Sequence, residues 1–177
     1  MTAPVIADCV GSWRRSLLVD ADGGHHAGGE VRWLQGITAY VDSRGFAGRL
    51  QQSGNVFQWH RDVDLEPPGP FPDAGAMHWD GDVLIETGVH QAYVEHWVRE
   101  GGSTDPCGAL FLRASDGATG LLVRVGGLFG WAGGGAVVIG TVGDAEYGRL
   151  GIAPAGEEVR ANGIRWRIDR SEGTVNP

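Results

Sequence analysis

Apolar and polar positions alternate in short runs along the chain, and clusters of Gly, Pro, Asn and Asp separate these runs. About twelve runs lie between residues 13 and 169, and each has the period of two that is typical of a β-strand. No long run has the period of an amphipathic helix. Many short strands in one chain are typical of a sandwich or a barrel, and we favour the barrel because closure removes exposed sheet edges. The sequence therefore predicts an all-β fold, a single antiparallel closed β-barrel of roughly ten to twelve short strands.

Length and composition fit this prediction and bound the organisation of the chain. A chain of 177 residues is long enough for one domain with a sizeable core. Its 31 glycines are well above the usual share and suit a fold with many turns. We expect one β-barrel domain over 1–177, with flexible termini at 1–11 and 170–177.

Charge and residue usage exclude several classes of function. All 14 basic residues are Arg, so no Schiff-base lysine and no Walker-type phosphate loop can be present. The net charge of −8 is the opposite of what a nucleic-acid-binding protein carries. The chain shows neither a signal peptide nor an apolar stretch long enough to span a membrane, so we expect a cytoplasmic protein with no nucleic-acid and no membrane partner. In that compartment Cys9 and Cys107 are expected to be free thiols.

A series of short motifs between residues 12 and 99 resembles a known family in content and in order. The motifs are SWRRS (12–16), YVDSR (40–44), FAG (46–48), WHRDVD (59–64), DAG (73–75), ETG (86–88) and YVEHW (93–97). The chain resembles a lipocalin-like family, the fungal proteins named for interacting with a casein-kinase-I homologue. The resemblance implies a calycin-type β-barrel with an internal cavity. It implies no biochemical role, does not carry the kinase association to this chain, and stops near residue 100.

Aromatic and charged residues share the same faces of several predicted strands. Alternation places Tyr40 with Arg44, Trp59 with Arg61, and Glu95 with Trp97. One face of every barrel strand lines the interior, so these mixed faces predict a cavity that contains both arginines and carboxylates. The candidate ligand-binding residues are Tyr40, Asp42, Arg44, Trp59, Arg61, Glu86, Tyr93, Glu95 and Trp97.

Two interpretations of these residues stay open at this point. Arg44 and Arg61 could meet Asp42, Glu86 and Glu95 in a structural network, because a buried charge requires a partner whether or not a ligand exists. Alternatively, an arginine could anchor a ligand that carries a carboxylate or another oxygen acceptor. The sequence does not distinguish the two.

The expected function is therefore the binding of a small amphipathic or carboxylate-bearing molecule in the barrel cavity. The six histidines have no metal-ligand spacing, so we expect no metal and no cofactor. The first alternative is a cofactor-independent enzyme, a lyase, isomerase or cyclase, that acts in the same cavity. The second alternative is a protein-interaction module. No catalytic residue can be assigned, and whether the protein is an enzyme stays open.

Overall fold

The computed structural model describes residues 2–177, and within them it contains sixteen β-strands and one short α-helix. A 3-10 turn at Ile6–Cys9 precedes the first strand. Helix α1 spans Ala145–Leu150. No helix between residues 2 and 177 is long and apolar enough to cross a lipid bilayer.

The first hundred residues form a closed antiparallel barrel of eight strands. The strands are β1 (Gly11–Val19), β3 (Arg32–Gln35), β4 (Ala39–Asp42), β5 (Phe46–Ser53), β6 (Val56–Asp64), β7 (Ala74–Asp80), β8 (Val83–Gly88) and β9 (Val94–Glu100). Each strand pairs with the next, and β9 pairs back onto β1 to close the barrel. A short strand, β2 (His25–Ala27), pairs with the second half of β1.

The remaining residues form a second antiparallel sheet. Its strands are β10 (Cys107–Ala114), β11 (Thr119–Val125), β12 (Leu128–Gly133), β13 (Ala136–Thr141), β14 (Ala153–Ala155), β15 (Glu158–Ala161) and β16 (Ile164–Gly173). They lie in the order β13-β12-β11-β10-β16-β15-β14. The all-β prediction with a closed antiparallel barrel is confirmed, and the structure adds that the barrel is complete by Glu100 while the later strands form a separate curved sheet.

Three apolar clusters form the core, and one of them lies between the two sheets. The barrel interior contains most of the tryptophans of the first half, among them Trp13, Trp33 and Trp97, all buried. The outward faces of β3 to β5 pack against β10 to β12, with Val41 and Val123 in the shared cluster. The third cluster lies on the opposite face of the second sheet. The second of these clusters is therefore the one that both sheets share.

A carboxylate from the second sheet ties it to the barrel. Glu172 on β16 accepts hydrogen bonds from the backbone N–H groups of Thr38 and Ala39 at 2.9 Å each. Its other oxygen accepts a bond from the Thr38 hydroxyl at 2.6 Å. These bonds satisfy backbone donors that β4 leaves unpaired where it begins.

Parts of the two segments expected to be flexible, 1–11 and 170–177, form contacts with the rest of the protein. Cys9 is fully buried in the barrel core, and its carbonyl accepts a hydrogen bond from the Trp13 indole at 2.7 Å. At the other end β16 continues to Gly173, past the expected boundary at residue 170. Side-chain packing and strand pairing therefore hold parts of both segments. Cys9 and Cys107 are free thiols, as expected.

A β-bulge in β6 changes which side chains face the barrel interior. Gly48 pairs with Arg61 and Ala47 with Val63, so Asp62 is the extra residue. A Cβ on Gly48 would lie 1.8 Å from the carbonyl oxygen of His60, so only glycine fits opposite the bulge. Simple alternation along a regular strand would place Arg61 and Val63 on one face. In the structure Val63 packs toward the second sheet instead.

Candidate functional site

A pocket with a volume of about 530 Å³ lies at one end of the barrel. Because neighbouring strands are antiparallel, this end collects the last residues of β1, β4, β6 and β8 and the first residues of β3, β5, β7 and β9. The lining residues are Arg15, Leu18, Asp20, Ala21, Trp33, Asp42, Arg44, Phe46, Trp59, Arg61, Asp73, Glu86, Gln91, Ala92, Tyr93, Glu95 and Trp97.

Eight of the nine candidate residues line this pocket. They are Asp42, Arg44, Trp59, Arg61, Glu86, Tyr93, Glu95 and Trp97. Tyr40 does not line it. That side chain is fully buried, packs edge-on against Phe46 and donates its hydroxyl proton to the carbonyl oxygen of His60 at 3.3 Å. Tyr40 is one of the core residues of the barrel.

Aromatic rings form the inner wall of the pocket, and Trp33 is at their centre. Its ring centroid lies 5.6 Å from that of Trp13, 5.7 Å from that of Trp59 and 5.6 Å from that of Trp97. The contacts to Trp59 and Trp97 are edge-to-face, the arrangement that aromatic quadrupoles favour. The wall is therefore an apolar surface made mainly of packed indole rings.

Glu95 is held by two arginines. The guanidinium of Arg44 binds the carboxylate of Asp42 with both nitrogens, at 2.8 and 3.0 Å, and donates to Glu95 at 3.0 Å. Arg15 forms a second ion pair with Glu95 and donates to the carbonyl oxygen of Gly28 at 3.1 Å. Asp42 and Glu95 are almost fully buried. Each of these charges has a partner of opposite sign, which a buried ion pair requires.

Arg61 is paired with carboxylates other than those expected. Its guanidinium donates to Asp64 at 3.0 Å and to Asp73 at 2.8 Å, and it lies 3.6 Å from the ring centroid of Phe46. The sequence had suggested Asp42, Glu86 or Glu95 as partners. Asp73 directly precedes β7, whose first residue pairs with Gln58 of β6. The chain before this pair runs toward the end of the barrel where Arg61 lies, and Asp73 is its first residue.

Glu86 differs from Glu95, although the two residues are direct cross-strand partners. Its side chain is buried, and its two oxygens accept hydrogen bonds from the Tyr93 hydroxyl at 2.7 Å and the Trp97 indole at 3.0 Å. Among residues 2–177 no arginine or histidine forms an ion pair with it. Burial, reinforced by the charge of Glu95, raises the pKa of Glu86 to about 8. Glu86 is therefore mostly a neutral acid at pH 7.

Glycines leave the space that Glu86 and Tyr93 occupy. A Cβ on Gly75 would lie 2.5 Å from Cγ of Glu86. A Cβ on Gly88 would lie 2.5 Å from Cε1 of Tyr93. Both glycines belong to the motifs DAG and ETG of the sequence, so these motifs have a steric reason in the structure.

Several residues that line the pocket were not among the candidates from the sequence. The main ones are Arg15, Asp20, Trp33, Phe46 and Asp73. Arg15, Asp73 and Phe46 are part of the quoted motifs, which was the available signal. Asp20 and Asp73 lie in loops, where alternation assigns no face. For Arg15, the register shift between Arg15 and Leu17 interrupts the pattern of β1.

The charges around the pocket are unbalanced. Five acidic residues line it against three arginines. All three arginines are bound to carboxylates, whereas Glu86 receives only neutral donors. The pocket therefore presents aromatic faces, a buried carboxyl group and an excess of negative charge, and it holds no unpaired guanidinium.

Comparisons with known proteins support the fold. No family model matches the chain, and no curated protein matches it. Among solved structures, the chain is similar to the crystal structure of the uncharacterized protein YLR301w from Saccharomyces cerevisiae, with a TM-score of 0.54 at 14% identity. The match covers 92% of this chain and 98% of that chain, so it includes the second sheet, beyond the quoted motifs. The chain thus shares its β-barrel fold with an uncharacterized yeast protein.

Proposed function

We propose that this protein binds a small amphipathic molecule in the pocket at the end of its barrel. The observation that carries the proposal is the cavity of about 530 Å³, lined by eight of the nine residues selected from the sequence. A barrel with no ligand to hold could fill this space with side chains, as small barrels do. Instead, indole rings and polar groups surround open space, which is the usual composition of a small-molecule site.

The surroundings of the pocket suit a molecule larger than a single ring. A groove of about 640 Å³ shares Trp59, Arg61 and Tyr93 with the pocket and runs beneath the proline-rich loop at 66–73. In this loop Phe71 is half exposed and stacks on His90 with parallel rings, 6.2 Å between centroids. An apolar extension of the ligand would contact this groove, while its polar group lies in the pocket.

We also propose that the chain is a lipocalin-like protein of the calycin type. The support is the shared order of the motifs, together with the position of their residues. Arg44, Arg61, Glu86 and Glu95 come from four different motifs and meet at one pocket. The likeness to the yeast protein supports a common fold and carries no ligand or partner to this chain.

Binding can be tested by nuclear magnetic resonance with phenethyl alcohol, a neutral amphipathic probe. The indole N–H signals of Trp33, Trp59 and Trp97 are expected to shift on titration, since their rings line the pocket. The signals of Trp131 and Trp166 serve as the internal control, because both rings are buried in the second sheet. Equal shifts of all indole signals, or none, would contradict a specific site in the barrel.

A pair of variants makes the same test independent of the signal assignment. Ala92 is exposed on the pocket rim, and Ala92→Phe is expected to weaken binding of the probe at least about tenfold by occupying the entrance. Ala118→Phe is the matched control in an exposed turn of the second sheet and should bind as the parent does. Unchanged affinity in Ala92→Phe would place the probe elsewhere.

A further inference from the structure

We propose that the ligand of this pocket carries a positively charged organic ammonium group, which binds between the carboxylate of Glu86 and the aromatic wall. The inference rests on the proposed function and names the ligand class of the same site. The charged group of the ligand is therefore a cation and not a carboxylate, although the sequence alone was compatible with a carboxylate-bearing ligand.

The pairing of the arginines is the first feature of the pocket that favours a cation over an anion. A ligand carboxylate would be drawn to an uncompensated positive charge, but Arg15, Arg44 and Arg61 each form ion pairs with protein carboxylates. A ligand carboxylate bound to one of these arginines would therefore lie beside an acidic side chain of the protein. The surplus of acidic residues around the pocket would also repel the carboxylate of such a ligand.

The carboxyl group of Glu86 is the second feature that favours a cation. Its two oxygens accept one hydrogen bond each, although an ionised carboxylate has about four acceptor positions. Glu86 is one of the residues that line the pocket, so a bound ligand lies next to this carboxyl group. A cation there would give Glu86 the opposite charge that Glu95 already has from Arg15 and Arg44.

The aromatic wall is the third feature that favours a cation. Trp33, Trp59, Trp97 and Tyr93 all line the pocket together with Glu86. Ring faces attract cations, and indole is the strongest of the aromatic side chains in this respect. The protein already uses this contact, since the guanidinium of Arg44 lies 5.7 Å from the Trp97 ring centroid. An ammonium group with apolar substituents matches such a surface better than a strongly hydrated metal ion does.

Binding of the cation is coupled to loss of a proton. In the free protein the proton resides on the carboxyl of Glu86, which faces Tyr93 from the loop before β9, Glu95 from β9, Asp73 from the loop before β7 and Arg44 from the turn after β4. When the ammonium binds, the O–H bond of Glu86 breaks, the carboxylate pairs with the ligand, and the proton passes to the buffer. Affinity should therefore rise with pH until Glu86 is ionised in the free protein.

The test uses three probes with one phenethyl group and different head groups: phenethyltrimethylammonium, phenethyl alcohol and hydrocinnamate. At pH 7, calorimetry is expected to show the ammonium probe binding about tenfold more tightly than the alcohol, with hydrocinnamate the weakest. Comparing buffers of different ionisation enthalpy should show release of about one proton for each bound ammonium. The quaternary ammonium does not titrate, so the proton must come from the protein.

Glu86→Gln is expected to lower the affinity for the ammonium probe about tenfold, to abolish proton release and to change the affinity for the alcohol less than about twofold. Glu100→Gln, at the end of the neighbouring strand β9 and outside the pocket, is the control and should bind all probes as the parent does. Equal affinity for the three head groups, or proton release that persists in Glu86→Gln, would overturn the inference while leaving the pocket as a binding site. If the alcohol also failed to bind, the proposed function itself would fall.

Discussion

Glu95→Gln is expected to lower the free energy of unfolding by about 3 to 5 kcal/mol, because it removes one side of a buried ion-pair network. Glu95 is the shared partner of Arg15 and Arg44, and Arg15 has no other carboxylate partner among residues 2–177. The substitution keeps the shape of the side chain but leaves the largely buried Arg15 guanidinium without an opposite charge. Urea denaturation at pH 7 measures the change.

Glu100→Gln provides the matched comparison for this prediction. Glu100 lies on the same strand and also pairs with an arginine, Arg32, at 2.9 Å. Both side chains of that pair are about one-third exposed, so its loss should cost less than about 1 kcal/mol. Similar losses for Glu95→Gln and Glu100→Gln would mean that burial does not set the strength of the Glu95 pairs.

Glu86→Gln is expected to have the opposite effect and to stabilise the free protein at alkaline pH. Burial of an ionised Glu86 without a cationic partner is unfavourable, whereas a glutamine can keep its hydrogen bonds to Tyr93 and Trp97. At pH 8 to 9 we expect the free energy of unfolding to rise by about 4 kcal/mol. Facing carboxylates on two paired strands would then respond in opposite directions to the same substitution.

The pH dependence of this effect follows from the pKa of Glu86, which is raised in the folded state from 4.5 to about 8. Between these values the folded protein holds a proton that the unfolded chain has lost, so stability falls as pH rises through this window. The variant lacks this loss, and its advantage should vanish near pH 4.5 and reach its maximum above pH 8. An advantage that is constant from pH 4 to pH 9 would show that Glu86 does not titrate in this range.

The fold was predictable where alternation is regular and local. Strands β4 and β5 carry a clean period of two around a short turn, and the barrel prediction followed from many such runs. The division into a closed barrel and a second sheet depends on contacts far apart in sequence. The pairing of β1 with β9 and the approach of Val41 to Val123 are examples, and strand patterns alone do not specify them.

The residues of the candidate site were likewise predictable where they lie on regular strands. Glu86, Glu95 and Trp97 lie on regular strands, and alternation placed them correctly at the interior. The partners of Arg61 could not be predicted, because Asp73 comes from a loop and the bulge at Asp62 shifts the register. The difference between Glu86 and Glu95 was also hidden in the sequence, since it depends on which carboxylate the arginines reach. Glu86 and Glu95 are both buried at the pocket. The alternative of a cofactor-independent enzyme, which would use such carboxyl groups as acid or base, stays a prediction.

A crystal structure of the protein with phenethyltrimethylammonium would show directly whether Glu86 holds a cation. The expected result is a single bound molecule at the end of the barrel, with its ammonium group in contact with the Glu86 carboxylate and the rings of Trp59 or Trp97. The pairs of Arg15 and Arg44 with Glu95 should be unchanged. A molecule bound with its phenyl ring inward and its ammonium group in solvent, or bound outside the barrel, would contradict a cation site at Glu86.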